Sequence, residues 1–252
     1  MKHLLITITV AILTAGCAFR PAQKTDQNAA LNMGLVEHDV VYRTAGDKNL
    51  RLNVYLPDEF IGEPPWWTND GKGKKPTLLY IHGGGWVVGS KDERALNVLP
   101  YLYRDWVVIS INYRLAKDAK APAAVDDCLI ALEWIYANAD KYDIDTDRIV
   151  VSGGSAGGHL ALLTGMLREG DQLCGGKLKV ENTRKVAAIV NWYGVTDFTI
   201  NPHPLEWFGE DIDLGEYVRS LSPINYVRQG GAPGDVSTRA CARAPPAAAG
   251  CG

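Results

Sequence analysis

The sequence predicts an α/β fold in which a mostly parallel sheet carries helices on both faces. Strand-like and helix-like segments alternate from residue 77 to about residue 192, the order that consecutive βαβ units produce. The strands of this stretch are continuous apolar runs, such as "TLLYIH" and "WVVISINYRL", as expected of strands that are buried on both faces. Because there is no internal repeat and no second apolar nucleus, we expect a single domain over residues 35–230.

Two earlier segments, "HDVVYRT" and "LRLNVYLP", are predicted to form an antiparallel edge of that sheet. In the second segment Leu52, Val54 and Leu56 alternate with residues that point to the other face, which is typical of a strand. A polar loop rich in glycine and proline follows, and it contains Trp66 and Trp67. These tryptophans either line a substrate cleft or hold the loop against the surface, and we favour the second role.

Three helices are expected among the apolar strands. Ser90 and Glu93 have the spacing of a capping box at the start of "ERALNVLPYLY", a helix that Pro100 should kink or shorten. Pro122 is placed to open the second helix, in which apolar residues recur every three or four positions: Val125, Leu129, Leu132 and Ile135. The strand "RIVVSGG" precedes the third helix, "GHLALLTGMLRE", and "VAAIVNWYG" is the last clear strand.

The composition is that of an ordinary globular protein, with 252 residues of which 46% are hydrophobic and 22% are charged. A formal net charge of −3 and the lack of a basic stripe argue against nucleic acid as a partner. Cys128, Cys174, Cys241 and Cys251 do not have metal-ligand spacing, so we expect no metal site. Cys128 lies in a helical apolar pattern and is expected to be buried.

The first 17 residues are predicted to be an export signal. Lys2 precedes an apolar run over residues 4–15 that is too short to span a bilayer. "LTAGC" then ends in Cys17 and resembles the lipidation signal of bacterial lipoproteins, although Thr14 stands where leucine is usual. We therefore expect a lipid anchor on Cys17, a tether over residues 18–34, and a location in the bacterial cell envelope. The alternative is an ordinary secretory signal with a periplasmic or secreted product.

Ser155 is the candidate nucleophile, because glycines surround it at the boundary between a strand and a helix. Gly153, Gly154, Ala156 and Gly157 complete the pattern G-x-S-x-G, which here follows a predicted strand and precedes a predicted helix. A nucleophile on so sharp a turn has a strained backbone, and its neighbours two positions away need to lack side chains. The helix N-terminus behind the serine would also favour developing negative charge.

A second motif, "HGGGW" at residues 82–86, directly follows the third strand. Glycine-rich loops of this kind supply backbone N–H groups to the oxyanion that forms when a serine attacks an acyl carbon. We assign these donors to Gly83 and Gly84, with Ala156 as the third.

Two histidines lie near these motifs, and we interpret both as structural. His82 begins the glycine-rich loop and would hold its shape. His159 lies one helical turn beyond Ser155, whereas a catalytic base should come from a loop across the site.

The chain resembles α/β-hydrolases of the hormone-sensitive-lipase-like and feruloyl/acetyl-esterase-like (BD-FAE-like) branch in these motifs and in "SINYRL", "PAAVDDCLIALEWI", "WYGVTDF" and "LSPINYV". The resemblance covers roughly residues 35–230. It implies an eight-stranded, mostly parallel sheet, a Ser-Asp-His triad, and hydrolysis of small carboxylic esters, including acylated carbohydrates, without a metal or organic cofactor. It places Ser155 at the nucleophile and Gly83, Gly84 and Ala156 at the oxyanion hole.

The chain departs from this family after residue 230. In the family the acid and the histidine follow the serine along the chain, but residues 231–252 contain no apolar run that could form a core strand. We therefore expect a C-terminally truncated or frame-shifted product whose last strands are missing and whose residues 231–252 are a disordered, non-family tail. The strand "VAAIVNWYG" would then be an apolar open edge, which invites aggregation.

Asp197 and His203 could supply a substitute acid and base for Ser155. Asp197 follows the last clear strand, and His203 lies between two prolines in the next loop. We favour the simpler interpretation that Asp197 belongs to the "YGVTD" turn and that His203 is an ordinary loop residue. Asp235, in the tail, is interpreted as incidental.

The sequence thus predicts a serine-dependent carboxylic ester hydrolase that is inactive or crippled as written, because a serine without its base is a poor nucleophile. Two alternatives stay open. The first is a non-catalytic, lipid-anchored binding remnant, which the missing histidine favours. The second is an amidase or formamidase, whose tetrahedral intermediate the same motifs would stabilise.

Overall fold

A computed structural model describes residues 36–57, 73–93, 98–200, 202–209 and 214–228, which all belong to one compact unit, Met33–Gly252. Several predictions concern residues outside these ranges: the signal segment with Cys17, the tether over residues 18–34, Trp66 and Trp67, and the tail over residues 231–252 with Asp235 and its two cysteines.

The strands, in chain order, are β1 (Val36–Ala45), β2 (Lys48–Tyr55), β3 (Lys75–Ile81), β4 (Val107–Ile111), β5 (Ile144–Gly154), β6 (Gln172–Leu173), β7 (Leu178–Lys179) and β8 (Ala188–Trp192). The helices are α1 (Leu99–Leu102), α2 (Ala123–Ala137), α3 (Ala156–Met166), α4 (Leu205–Phe208) and α5 (Leu214–Ser220), followed by a 3-10 turn at Pro223–Tyr226. Within the described residues, no helix is both long and apolar enough to cross a bilayer.

The main sheet is mostly parallel, as the sequence predicted. Its six described strands lie in the order β1-β2-β4-β3-β5-β8, while β6 and β7 form a separate small hairpin. β1, β2 and β4 pair antiparallel, which confirms the expected antiparallel edge, and β4, β3, β5 and β8 pair parallel. The centre of the sheet is in register through Leu79, which stands opposite Ile109 on one side and Val151 on the other.

Successive residues of the central strands supply two apolar clusters, one on each face of the sheet. Leu79 and Val151 belong to the larger cluster, which also contains the buried sides of α2 and α3. Leu78 and Val150 belong to the smaller cluster, which includes residues of α1. This two-sided burial is the reason that the strands read as continuous apolar runs. Cys128 of α2 is fully buried, as expected.

The region between β3 and β4 is described only in part. The described helix is only the four residues of α1, and Pro100 lies in its first turn, where a missing N–H costs no hydrogen bond. The described helix is thus short, in line with the expectation that Pro100 would kink or shorten it, and residues 94–97 of the predicted helix lie outside the described ranges. Ser90 and Glu93 form a turn, in which the Ser90 carbonyl accepts the Glu93 N–H at 3.2 Å.

Candidate active site

Ser155 occupies the sharp turn between the end of β5 and the start of α3. Its φ of 55° and ψ of −120° are unusual for a residue with a side chain. Its N–H donates to the Trp192 carbonyl at 2.8 Å, and its carbonyl accepts the His159 N–H at 3.0 Å. The strained residue is therefore held on both sides, by β8 and by the first turn of α3.

The glycines two residues before and after Ser155 are required by close backbone approach. A Cβ atom added at Gly153 would lie 2.5 Å from the Gly157 carbonyl, and one added at Gly157 would lie 2.1 Å from the Ile81 oxygen. Both distances are far below van der Waals contact. The glycines thus let α3 begin directly against the carboxyl end of β3, where the glycine-rich loop also begins.

The glycine-rich loop lies against the serine turn. A Cβ atom added at Gly83 would be 2.8 Å from the Gly154 oxygen and 3.7 Å from Ser155 Cβ. Gly84 has a φ of +111° and accepts hydrogen bonds on its carbonyl from the N–H groups of Val87 and Val88. This tight turn brings the backbone of the loop to the same place as Ser155.

Ser155, Gly83 and Gly84 line one cavity of about 590 Å³. Ala156, the remaining predicted N–H donor, is buried directly behind Ser155. Aromatic side chains form much of the remaining wall: Tyr80, Tyr101, Trp192 and Tyr193. The structure therefore brings together the serine and the glycine-rich loop that the two motifs singled out.

The aromatic residues of the cavity were not predicted from the sequence. Trp192 ends β8 and Tyr193 follows it, at the carboxyl edge where ligands of parallel sheets bind. Tyr193 also has a φ of 48°, which is uncommon for a large side chain. The position of Trp192 and Tyr193 at a strand end is a signal that could have identified them. Tyr101 comes from a segment whose placement the sequence does not indicate.

His82 and His159 are both buried, consistent with structural residues. The His82 ring stacks on Tyr113 with centroids 4.2 Å apart, and its Nδ1 lies 2.7 Å from the Gly83 carbonyl oxygen. The His159 Nε2 lies 2.8 Å from the Leu221 carbonyl oxygen. Burial lowers the pKa of His82 and lowers the pKa of His159 to about 4, because a charged imidazole loses its hydration there.

Asp197 and His203 are not brought to Ser155. The Asp197 carboxylate accepts hydrogen bonds from the Thr199 N–H at 2.8 Å and from the Thr199 hydroxyl at 2.6 Å, and these bonds lower its pKa. His203 is exposed, and neither residue lines the cavity. Among the described residues, no side chain forms a hydrogen bond to the Ser155 hydroxyl, and no cluster of three or more metal-binding side chains is present.

Comparison with known proteins identifies the family. The BD-FAE family model matches residues 66–235, which is more than half of the chain. Esterase LipQ of Mycobacterium tuberculosis is 30% identical over 201 residues, covering 75% of this chain and 45% of LipQ. The arylesterase of Saccharolobus solfataricus is 36% identical over 128 residues, covering 50% of this chain and 40% of the arylesterase.

Solved structures agree with this assignment. A truncated form of a carbohydrate esterase from gut microbiota superposes with a TM-score of 0.63 at 26% identity, covering 77% of this chain and 73% of that one. A bifunctional GH43-CE protein of Bacteroides eggerthii gives a TM-score of 0.61 at 29% identity, covering 76% and 29% of the two chains. The chain spans between 30% and 60% of the length of the curated relatives that it matches. It has the α/β-hydrolase fold and belongs to the BD-FAE family.

Proposed function

We propose that the domain cleaves small carboxylic esters, acylated carbohydrates among them, by acyl transfer through Ser155. The observation that carries this proposal is the cavity that Ser155 shares with Gly83 and Gly84. The similarity to a carbohydrate esterase supports the carbohydrate part of the substrate class.

In the proposed reaction the Ser155 hydroxyl attacks the carbonyl carbon of the ester and loses its proton to a base. The carbonyl oxygen becomes an oxyanion, which the N–H groups of Gly83, Gly84 and Ala156 stabilise. The alcohol then leaves with a proton, and water hydrolyses the acyl-serine in a second step. Removing one such donor typically slows turnover by about a hundred- to a thousandfold. No metal or organic cofactor takes part.

We further propose that this chain turns over slowly as it stands. Among the described residues, the Ser155 hydroxyl has no hydrogen-bonded base, and the candidate substitutes Asp197 and His203 lie outside the cavity. In subtilisin, the loss of the histidine lowers turnover by about six orders of magnitude. The oxyanion site and substrate binding would then account for the residual rate.

Hydrolysis of p-nitrophenyl acetate tests the role of Ser155. We expect a slow release of nitrophenol that Ser155→Ala abolishes and that Thr44→Ala, on the exposed side of β1, leaves unchanged. Equal rates for the wild type and Ser155→Ala would contradict the proposal. A slower rate in His203→Ala would identify His203 as a substitute base, and an unchanged rate would indicate a site without one. A parallel panel of formamides distinguishes an esterase from an amidase.

A second candidate is a non-catalytic binding protein, which is favoured by the finding that no base is hydrogen-bonded to the Ser155 hydroxyl among the described residues. Such a protein would keep the cavity and bind an acylated sugar without cleaving it. Calorimetry with an acetylated oligosaccharide, followed by analysis of the recovered sugar, distinguishes the two: a bound sugar that keeps its acetyl groups supports the binding protein, and a deacetylated sugar supports the esterase.

We also propose that Cys17 carries a lipid that anchors the protein in the bacterial cell envelope. The support is the "LTAGC" sequence with its preceding apolar run. Expression of the full chain in a bacterium that is fed a labelled fatty acid should label the wild type and leave Cys17→Ser unlabelled. A label that persists in Cys17→Ser would contradict this proposal.

A further inference from the structure

The glycine-rich loop depends on its two ends for its position. Gly83, Gly84 and Gly85 have no side chains with which to pack, so apart from the hydrogen bonds on the Gly84 carbonyl the loop is positioned by the residues beside them. His82 holds the first end through its stack on Tyr113. Trp86 holds the second end, and its side chain is only 3% exposed.

The buried Trp86 has a strained backbone. Its φ of 61° places a large side chain in the left-handed region. The indole stacks on Trp207 with ring centroids 4.5 Å apart, and it makes a T-shaped contact with His159 with centroids 5.2 Å apart. Strain of this kind persists where the surrounding structure enforces it. The packing around the indole, together with the Ala116 N–H that donates to the Trp86 carbonyl at 2.8 Å, therefore fixes the second end of the loop.

His159 connects this packing to the serine. It lies one turn after Ser155 on α3, and its N–H donates to the Ser155 carbonyl at 3.0 Å. Its ring also contacts Phe198 and Trp207, with centroids 4.9 Å and 5.5 Å away. Because Nε2 lies 2.8 Å from the Leu221 carbonyl oxygen, the neutral ring must carry its proton on Nε2.

The contact between His159 and Trp86 is one of packing. His159 Nδ1 and Trp86 Nε1 are both buried, and neither has a hydrogen-bond partner in the described part of the chain. The imidazole is thus oriented by its single bond to Leu221, and the indole is held by the rings around it.

We propose that His159 is a positioning residue that fixes the glycine-rich loop relative to Ser155. One ring joins the helix that carries the serine, the tryptophan at the end of the loop, and the segment that contains Leu221. It thereby sets the distance from the Ser155 hydroxyl to the N–H groups of Gly83 and Gly84. The catalytic consequence rests on the proposed function, whereas the mechanical coupling does not. Misplacement by about 1 Å at a reacting centre can cost on the order of a hundredfold in rate.

Hydrogen exchange measured by mass spectrometry tests the coupling without any need for turnover. In His159→Ala the amides of residues 83–88 should exchange at least about tenfold faster relative to those of β3, because local opening of the loop becomes easier. Leu132→Ala, a buried change on α2, is the control for general destabilisation. A loop that exchanges no faster in His159→Ala than in Leu132→Ala, relative to β3, would overturn the proposal.

If His159→Ala does not fold, two further variants test whether His159 positions the loop. His159→Phe keeps a ring against Trp86 but loses the bond to Leu221, so the loop should exchange at a rate closer to that of the wild type. Trp86→Leu removes the indole from the same contact, so the amides of residues 83–88 should exchange faster, as expected for His159→Ala. Unchanged loop exchange in Trp86→Leu would also overturn the proposal.

Hydrolysis of p-nitrophenyl acetate tests the catalytic consequence of this positioning role. In the His159 variants that fold, kcat should fall by about ten- to a hundredfold while KM changes little, because oxyanion contacts act only in the transition state. A change in KM alone would contradict a positioning role. If the wild type releases no nitrophenol, the proposed function fails, and hydrogen exchange still decides whether His159 holds the loop.

Discussion

Gly157 is the residue on which the approach of α3 to the sheet depends. Its added Cβ atom would lie 2.1 Å from the Ile81 oxygen and 2.5 Å from the His82 oxygen, and both are backbone atoms that cannot rotate away. We expect Gly157→Ala to lower the free energy of unfolding by about 2–4 kcal/mol, through overpacking that displaces the helix. Gly175→Ala is the control, because it too adds a methyl group but has no atom within 4 Å.

Urea denaturation measures both variants. The positive φ of Gly175 (+66°) should cost only about 1–2 kcal/mol in Gly175→Ala. A Gly157→Ala protein no less stable than Gly175→Ala would show that α3 can shift freely.

The lowered pKa of His159 should make the stability of the fold depend on pH. Its pKa is about 4 in the folded protein, whereas an unfolded histidine titrates near 6.5. The unfolded chain therefore binds the proton more readily, so stability falls as the pH drops from about 6.5 to about 4 and levels off below that. His82 contributes in the same direction, because burial lowers its pKa as well.

The measurement is urea denaturation of the wild type and His159→Phe at two pH values. Between about pH 7 and about pH 5 the wild type should lose about 2 kcal/mol more than the variant, because phenylalanine does not titrate. Equal losses would mean that the His159 ring is hydrated in the folded state.

For single residues, the sequence predicts the geometry that depends on neighbours along the chain. Ser155 and its flanking glycines form one continuous motif, so their geometry follows from neighbours in the chain. Tyr193 and the contact of Trp86 with His159 depend on segments that meet only after folding. No periodicity or motif specifies which aromatic side chain a loop will bury.

Among the secondary-structure elements, β1 is attached to α2 by two adjacent carboxylates, the buried Asp127 and the partly exposed Asp126, whose Oδ2 lies 2.6 Å from Arg43 Nη2. Asp127 is fully buried on α2, and its Oδ1 lies 2.7 Å from Arg43 Nη1 of β1. Arg114, which follows β4, contacts the same oxygen at 2.8 Å and donates its backbone N–H to Oδ2 at 2.8 Å. A single acidic side chain thus joins a helix, an edge strand and a loop.

We expect Asp127→Asn to destabilise the protein by about 1–3 kcal/mol, because the two guanidinium groups then keep only the partly exposed Asp126 as a carboxylate partner. Asp140→Asn, which removes an exposed pair with Lys74, should leave the urea midpoint unchanged. Proteolysis at β1 should accelerate in Asp127→Asn if the carboxylate holds that strand. An Asp127→Asn protein as stable as the wild type would assign the attachment of β1 to Asp126 and apolar packing instead.

The sequence predicts the long elements better than the short ones. α2 begins one residue after the proline expected to open it, and its buried positions include Val125 and Leu132. α1, in contrast, is four residues long, which is too short for periodicity to define its limits.

For the whole molecule, alternation along the chain predicts a mostly parallel sheet, and the described strands agree. The order of the strands carries additional information, because β3 lies between β4 and β5. That order places the glycine-rich loop after β3 directly beside the serine turn after β5. Alternation does not fix this order, and it is the paired motifs that indicate which two strand ends must be neighbours.

The two outer strands of the described sheet differ in a way that predicts self-association. β1 carries charged side chains, which disfavour pairing with another chain, whereas β8 has no charged side chain and pairs only with β5 within the described residues. Trp192 on β8 is 55% exposed, and the adjoining Tyr193 is 72% exposed.

We therefore expect the purified protein to form larger species as its concentration rises, through pairing at β8. Trp192→Lys should reduce this association, because a charge on an edge strand opposes pairing. Val41→Lys, which adds the same charge to an exposed position on β1, should leave it unchanged. Light scattering at several concentrations measures the effect. Equal association of both variants would mean that other residues form the contact, while a smaller scattering signal from Val41→Lys than from Trp192→Lys would place it at β1.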